Sequence, residues 1–184
     1  MNWKRVNHGP INEPLLDYLE KLFDSEIKKG VRLRVAVGTD SQKSKSGKGY
    51  NFATVILIMI ERSLGVEKDG TEIWKGSGGM IIGAKSWDEM KASTRAKKHR
   101  EIEVLNQRML LEVSKSIEVA YEIAPLLELY GIKLEIHADI NPDPNAGLSN
   151  GALADAVGYI LGMGYDFKVK PDAWAASTAA DNLC

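Results

Sequence analysis

The sequence predicts an α/β protein built on a mixed five-stranded sheet that is flanked by helices. Three strand-like segments joined by tight turns come early in the chain. Helical and strand-like segments then alternate to the end. Antiparallel neighbours followed by strand–helix–strand units are typical of a mixed sheet covered by helices.

The composition is that of an ordinary globular protein, with 44% hydrophobic and 27% charged residues among 184. Its net charge of -1 gives no overall positive field that would attract a polyanion. The one cysteine, Cys184, excludes a disulfide framework. The longest apolar run, ATVILIMI, is too short to span a membrane, and MNWKRVNHG lacks the apolar core of a secretory signal. We therefore expect a soluble, cytoplasmic protein.

The first half of the chain predicts one helix and three strands. Leucines at helical spacing and the stop at Gly30 predict a helix at about 12–29. Strands are expected at about 32–40, 51–62 and 71–85. An Asp-Gly pair before the third strand favours a hairpin, and the GSGG sequence within it suggests a bulge.

The second half predicts helices and strands in alternation. Apolar residues step by three or four from Ile102 to Leu127, which indicates a long helix that Gly131 ends. A strand follows at about 133–140, where the prolines behind it prevent its continuation. A small-residue helix at about 148–163, a short strand at 167–170 and a helix at 173–183 complete the chain.

The strand order that follows is 3-2-1-4-5, with the fourth and fifth strands parallel to the first. A helical crossover makes the fourth strand parallel to its partner, which we take to be the first strand. Asp40 and Asp139 then end side by side at the carboxyl edge of the sheet, where α/β folds place their sites. We expect residues 1–184 to form a single domain.

Four motifs resemble a known family when they are taken together. VGTDSQ, RMLLEVSKSIEVA, IHADIN and KPDAWAAS are similar to the YkuK family of predicted nucleases, within the ribonuclease H-like superfamily. The resemblance covers about residues 31–184. It implies hydrolysis of nucleic-acid phosphodiester bonds with two Mg²⁺ or Mn²⁺ ions about 3.5–4 Å apart, held by carboxylates. Hard cations of this kind prefer oxygen ligands.

Two of the acids that the resemblance implies are Asp40 and Asp139, which end the first and fourth predicted strands. Aspartate at the end of a strand also satisfies turn amides, so a structural role is the alternative for Asp40. His137 shares the strand face of Asp139, and we interpret it as a half-buried histidine with satisfied partners.

The other two acids leave alternatives open. Glu112 lies on the border of the long helix's apolar stripe, and Glu101 and Glu103 lie only slightly further round. The family pattern and the helical length that remains before the fourth strand favour Glu112. Asp172 or Asp181 could be the fourth acid, and we take Asp172 because it directly follows the fifth strand. Aspartate is also a preferred N-cap, which is the alternative for Asp172.

A basic segment at 91–100 suggests contact with a phosphate backbone. It carries no acid and five cations: Lys91, Arg95, Lys97, Lys98 and Arg100. The alternative is a solvated surface, which a charge run most often is. Trp87 and Trp174 could stack on bases, although buried aromatics are commoner. We expect nucleic acid as the partner, and a non-catalytic nucleic-acid-binding module or a scaffold as the competing interpretations.

Overall fold

The computed structural model describes most of the chain. It covers residues 1–45, 47–89, 97–139, 157, 158, 160–162 and 164–183, with residues 97–102 described by their backbone alone.

The described residues form one seven-stranded mixed sheet. Its strands are β1 (Lys4–Arg5), β2 (Gly9–Pro10), β3 (Val31–Lys43), β4 (Gly49–Val66), β5 (Glu72–Glu89), β6 (Lys133–His137) and β7 (Asp166–Lys168). Their order is β2-β1-β5-β4-β3-β6-β7. The five predicted strands have the predicted order, and β6 and β7 are parallel to β3 as expected.

The prediction of five strands was too low, because β1 and β2 were missed. They form a small antiparallel pair beside β5, where Lys4 lies opposite Gly83. A strand of two residues has no alternating pattern to recognise, so this hairpin left no signal in the sequence.

The predicted turn and bulge between β4 and β5 are both confirmed. Glu67 and Thr71 close the Asp-Gly turn with a 2.8 Å hydrogen bond, and Gly70 has a positive φ of 90°. Further along, Ile60 pairs with Gly78 but Glu61 pairs with Gly76. The extra residue on β5 makes the bulge that the GSGG sequence suggested.

Two helices cover one face of the sheet. They are α1 (Leu15–Ile27) and α2 (Lys97–Leu129), close to the predicted positions. Their apolar side chains, among them Phe23 and Ile123, pack with Val35 and Ile56 of the sheet. No helix in the described part of the chain is long and apolar enough to cross a membrane.

The other face of the sheet carries the last helix, which we define as the π-helical segment Ala175–Ala180 and the 3₁₀ turn Asp181–Leu183. Its alanines pack on Ala36, Ala53 and Leu57. A regular helix was expected at 173–183. The difference matters for the site, because a π-helical segment changes which side chains share a face. Of the helix predicted at 148–163, only residues 157, 158 and 160–162 lie among those described, and they are helical.

Asp40 does not end its strand, as the sequence suggested, because β3 pairs with β4 as far as Lys43. The parallel pairing with β6, however, stops at Gly38 opposite His137. Asp40 therefore lies just beyond the last paired residues of β3 and β6. Asp139 follows His137 by the same two residues, so the two acids lie near the same edge.

Candidate functional site

Residues Thr39–Gln42 of β3 contact both layers of helices. Successive side chains of a strand point to opposite faces. Ser41 donates a hydrogen bond to Glu112 of α2 over 2.6 Å, whereas Gln42 donates from Nε2 to Oδ1 of Asp181 in the last helix over 3.2 Å. Two acids distant in sequence are thus tied to the residues that follow Asp40.

Glu112 lies on the buried face of α2 and is only 6% exposed. Burial disfavours its charged form and raises its pKa to about 8, with smaller contributions in the same direction from Asp40 and Asp139. The hydrogen bond from Ser41 and the charge of Arg108 act against this shift. Glu112 is therefore a carboxyl group whose burial, together with the nearby acids, favours its protonated form at neutral pH.

Asp40 is in a similar position and is 9% exposed. Burial raises its pKa to about 6, and the charges of Asp139 and Asp181 add to the increase. A backbone hydrogen bond at Ser41 and the charge of Arg108 partly oppose it. Neighbouring acids that raise one another's pKa are common at functional sites.

Asp139 is the third of the acids, after Glu112 and Asp40, that the sequence predicts at this site. It lines the same narrow crevice as Glu112. Lys170 Nζ lies 2.8 Å from its Oδ1, but the two groups are not aligned as a hydrogen bond. That buried Oδ1 has no hydrogen-bond partner among the described residues. It is an acceptor that still has capacity for a ligand.

The structure separates the two candidates for the fourth acid. Asp181 is close enough to Asp40 to raise its pKa and is held by Gln42. Asp172 lies before the last helix, on the wall of a different groove that also contains Glu135 and His137. The sequence favours Asp172 because it directly follows the fifth strand, and in the structure it lies between β7 and the π-helical segment Ala175–Ala180.

Sequence reasoning missed three residues of this site: Ser41, Gln42 and Arg108. Arg108 lies one turn before Glu112, with Nε 3.4 Å from Oε1, and its guanidinium lies 5.8 Å from the centre of the Tyr50 ring. Its Nε is buried and has no hydrogen-bond partner among the described residues. Its position four residues before the acid was the available signal, since such residues share a helix face.

The ring nitrogens of His137 have partners, as the interpretation from the sequence proposed, but the residue is fully buried rather than half-buried. The backbone N–H of Ala175 donates to its Nδ1 over 3.1 Å, so its proton is on Nε2, which lies 3.3 Å from Glu135 Oε2. Burial lowers the pKa of His137, which is consistent with a neutral ring.

The basic segment lies largely outside the described residues. Lys91 and Arg95 are not among them, and Lys97, Lys98 and Arg100 are described only by their helical backbone at the start of α2. Glu101 is likewise described only by its backbone, and Glu103 lies more than two turns before Glu112 on α2.

The donor set fits a divalent cation of the magnesium or manganese type. It consists of carboxylate oxygens, the ligands that hard cations prefer. Burial and the neighbouring acids raise the pKa values of Asp40 and Glu112, and a bound cation would favour their ionised forms. Across the described residues, no three His, Cys, Asp or Glu side chains already converge as a formed metal centre would require.

Comparison with known proteins identifies the family. A family model described as Ribonuclease H-like matches residues 81–184, which is more than half of the chain. The matched region contains Glu112, Asp139 and Asp181. Comparisons with curated proteins and with solved structures gave no match. The chain belongs to the ribonuclease H-like family, and this membership suggests a nuclease or another function related to nucleic acid.

Proposed function

We propose that this protein is a metal-dependent nuclease of the YkuK type that hydrolyses phosphodiester bonds of nucleic acid. Asp40, Glu112, Asp139 and Asp181 would hold Mg²⁺ or Mn²⁺. The observation that carries the proposal is the pair of buried acids, Asp40 and Glu112, whose pKa values are raised beside Asp139 at the carboxyl edge of β3 and β6.

Bound divalent ions would supply the positive charge that activates a water molecule and offsets charge on the phosphate. The residues of the chain do the positioning. Ser41 fixes one oxygen of Glu112, and Gln42 fixes one oxygen of Asp181. Both contacts leave the second carboxylate oxygen of each acid for another ligand.

Arg108 supports the same function from α2. Its guanidinium is held between Glu112 and Tyr50, and its Nε has no hydrogen-bond partner in the described part of the chain. Guanidinium groups bind phosphate oxygens with two parallel hydrogen bonds. In this proposal Arg108 holds a phosphate oxygen of the substrate while Ser41 keeps Glu112 in place.

The test is Mn²⁺-dependent cleavage of labelled single strands, duplexes and RNA–DNA hybrids. Asp40→Asn keeps the shape of the side chain but removes its charge. It should abolish cleavage and weaken Mn²⁺ binding, while the metal-free fold stays intact or becomes slightly more stable because repulsion between acids falls. Asp17→Asn, an exposed change on α1, is the matched control and should behave as wild type.

Cleavage that survives in Asp40→Asn would come from a contaminant or from another site, and would refute the assignment. A wild-type protein that binds Mn²⁺ but cleaves none of the substrates would instead support the non-catalytic nucleic-acid-binding module.

A further inference from the structure

A second groove, of about 410 Å³, lies on the sheet face that carries the last helix. Its apolar lining comes from Leu57, Met59 and Ile81, which we call its floor, and Gly78 and Gly79 also line it. Volumes of this size are typical of pockets for small organic groups. None of these residues takes part in the proposed metal chemistry.

One wall of the groove is a network of charged side chains around the buried Glu135. Glu135, which is 2% exposed, contacts Arg34 over 2.5 Å, Lys168 over 3.3 Å and the Nε2 of His137. Burial alone would raise the pKa of Glu135, but the hydrogen bonds from Arg34 and His137 and the charge of Lys168 outweigh it and lower the pKa to about 2. The network is therefore a fixed, ionised part of the wall.

The cations of this network retain donors that a ligand could use. The hydrogen bonds of Arg34 to Glu61 and Glu135 occupy two of its five guanidinium N–H groups, among the residues that the structure describes. Lys168 has a half-exposed side chain and three N–H donors. The N–H donors of Arg34 and Lys168 beside an apolar floor could bind a ring that carries hydrogen-bond acceptors on its edge.

Trp174 forms the rim and is 45% exposed, although its neighbours Ala173 and Ala175 are fully buried. A large aromatic ring exposed beside an apolar floor offers a stacking surface. Base-on-aromatic stacking is tolerant of sequence because every base has a π-face. The combination of ring, apolar floor and fixed donors indicates a nucleobase.

The groove also lies beside the acids. His137 on its wall is two residues before Asp139, and Lys168 is two residues before Lys170, which contacts Asp139. Two residues of a strand span about 7 Å. A nucleic-acid strand held at the acids can therefore reach the groove.

We propose that this groove takes one unpaired base of a single-stranded nucleic acid, stacked on Trp174 and held at its edge by Arg34 and Lys168. A paired base in a duplex would first have to be unpaired and unstacked, so single strands are the preferred substrate. The identity of the ligand rests on the proposed nuclease function, but binding at the groove does not require cleavage.

The experiment measures binding of a fluorescent single-stranded oligonucleotide and of its duplex in EDTA, where the nuclease reaction is suppressed. Trp174→Ala should weaken single-strand binding by about 5- to 150-fold, the effect of losing one stacked base. Trp174→Phe keeps a ring and should retain most of the affinity. Lys168→Ser should weaken single-strand binding by about 2- to 12-fold, the effect of losing one hydrogen bond to the edge of the base.

Trp87→Ala is the matched control, because Trp87 on β5 is 51% exposed but does not line the groove. It should leave affinity unchanged. The proposal is overturned by an affinity of Trp174→Ala equal to wild type, by an equal loss in Trp87→Ala, by a preference for duplex, or by a wild type that binds no single strand. Thermal unfolding of each variant separates a binding defect from a folding defect.

The two proposals can fail separately. Wild-type protein that cleaves nothing yet binds single strands through Trp174 would refute the nuclease and support the groove. Wild-type protein that cleaves, with Trp174→Ala binding and cleaving equally well, would refute the groove and leave the nuclease standing.

Discussion

At the end of β3, neighbouring side chains belong to different layers of the molecule. Ser41 reaches Glu112 on α2, and Gln42 reaches Asp181 in the last helix. The charges of Asp139 and Asp181 both raise the pKa of Asp40, which lies just before the two β3 residues. The period of two along a strand is what allows one short segment to collect acids from both faces of the sheet.

The first prediction concerns the fourth acid. Asp181→Asn should lower kcat at saturating substrate by about 10- to 100-fold or more, as substitutions near a metal site usually do. Asp172→Asn should leave kcat close to wild type, because Asp172 lines the other groove. Cleavage assays on both variants decide the matter. A kcat reduced only in Asp172→Asn would restore the choice made from sequence.

The second prediction concerns pH and the metal-free protein. The folded state raises the pKa of Glu112 from 4.5 to about 8, so it binds this proton more tightly than the unfolded state does. Stability should therefore fall as pH rises from about 4.5 to about 8, by about 1.4 kcal/mol for each pKa unit at most. Asp40 adds a smaller fall between its ordinary 3.8 and about 6.

Glu112→Gln removes that titration. In EDTA, its Tm should decline less than the wild-type Tm between pH 5 and pH 8, and it should exceed the wild-type value at pH 8. Glu118→Gln, an exposed change on the same helix, should follow wild type. Parallel Tm curves for wild type and Glu112→Gln would show that Glu112 is not held protonated. Added Mn²⁺ should stabilise wild type most at the higher pH, because a metal prefers ionised ligands.

At the scale of elements, the last helix is held close to β3 by a glycine. A Cβ added at Gly38 would lie 2.6 Å from the backbone nitrogen of Ala176, and backbone cannot rotate aside as a flexible side chain can. With the last helix this close to β3, Asp181 lies within hydrogen-bonding distance of Gln42.

The third prediction is that Gly38→Ala displaces the last helix. It should destabilise the fold by about 1–3 kcal/mol and lower cleavage because the hydrogen bond between Gln42 and Asp181 would be broken. Gly76→Ala is the control, since a Cβ there meets nothing within 4 Å. Tm and cleavage are measured on both. If Gly38→Ala has the Tm and the cleavage rate of wild type, the last helix can move away from β3 without disturbing the site.

The fourth prediction concerns the start of α2. Replacing Lys97, Lys98 and Arg100 by alanine should weaken single-strand binding. It should also reduce the salt slope by about 0.7 for each phosphate that is no longer neutralised, or by about 0.9 on duplex DNA. The control replaces Lys21, Lys28 and Lys29, which are exposed on or beside α1. If affinity and salt slope do not change, the basic segment is only a solvated surface.

At the scale of the whole molecule, the features that could be predicted from the sequence are those with a periodic pattern of apolar residues. The alternation of helix and strand was enough to obtain the order of five strands and the position of Asp40 near Asp139. The two-residue strands and the π-helical turn have no periodic signature, so the outer hairpin and the orientation of Asp181 were not predictable. Arg108 and Ser41 are common residue types whose roles depend on which helix covers which strand.

The parallel pairing of β3 with β6 joins residues about a hundred positions apart, as the contact between Arg34 and Glu135 shows. Contacts between residues so distant in sequence form slowly, because the chain loses the entropy of closing a long loop before these contacts stabilise it. The β3–β4–β5 hairpins are held together by pairing between strands that follow one another in the chain, and of the four acids they carry only Asp40. Under the proposed function, the metal site is therefore completed only when α2, β6 and the last helix have packed on these hairpins.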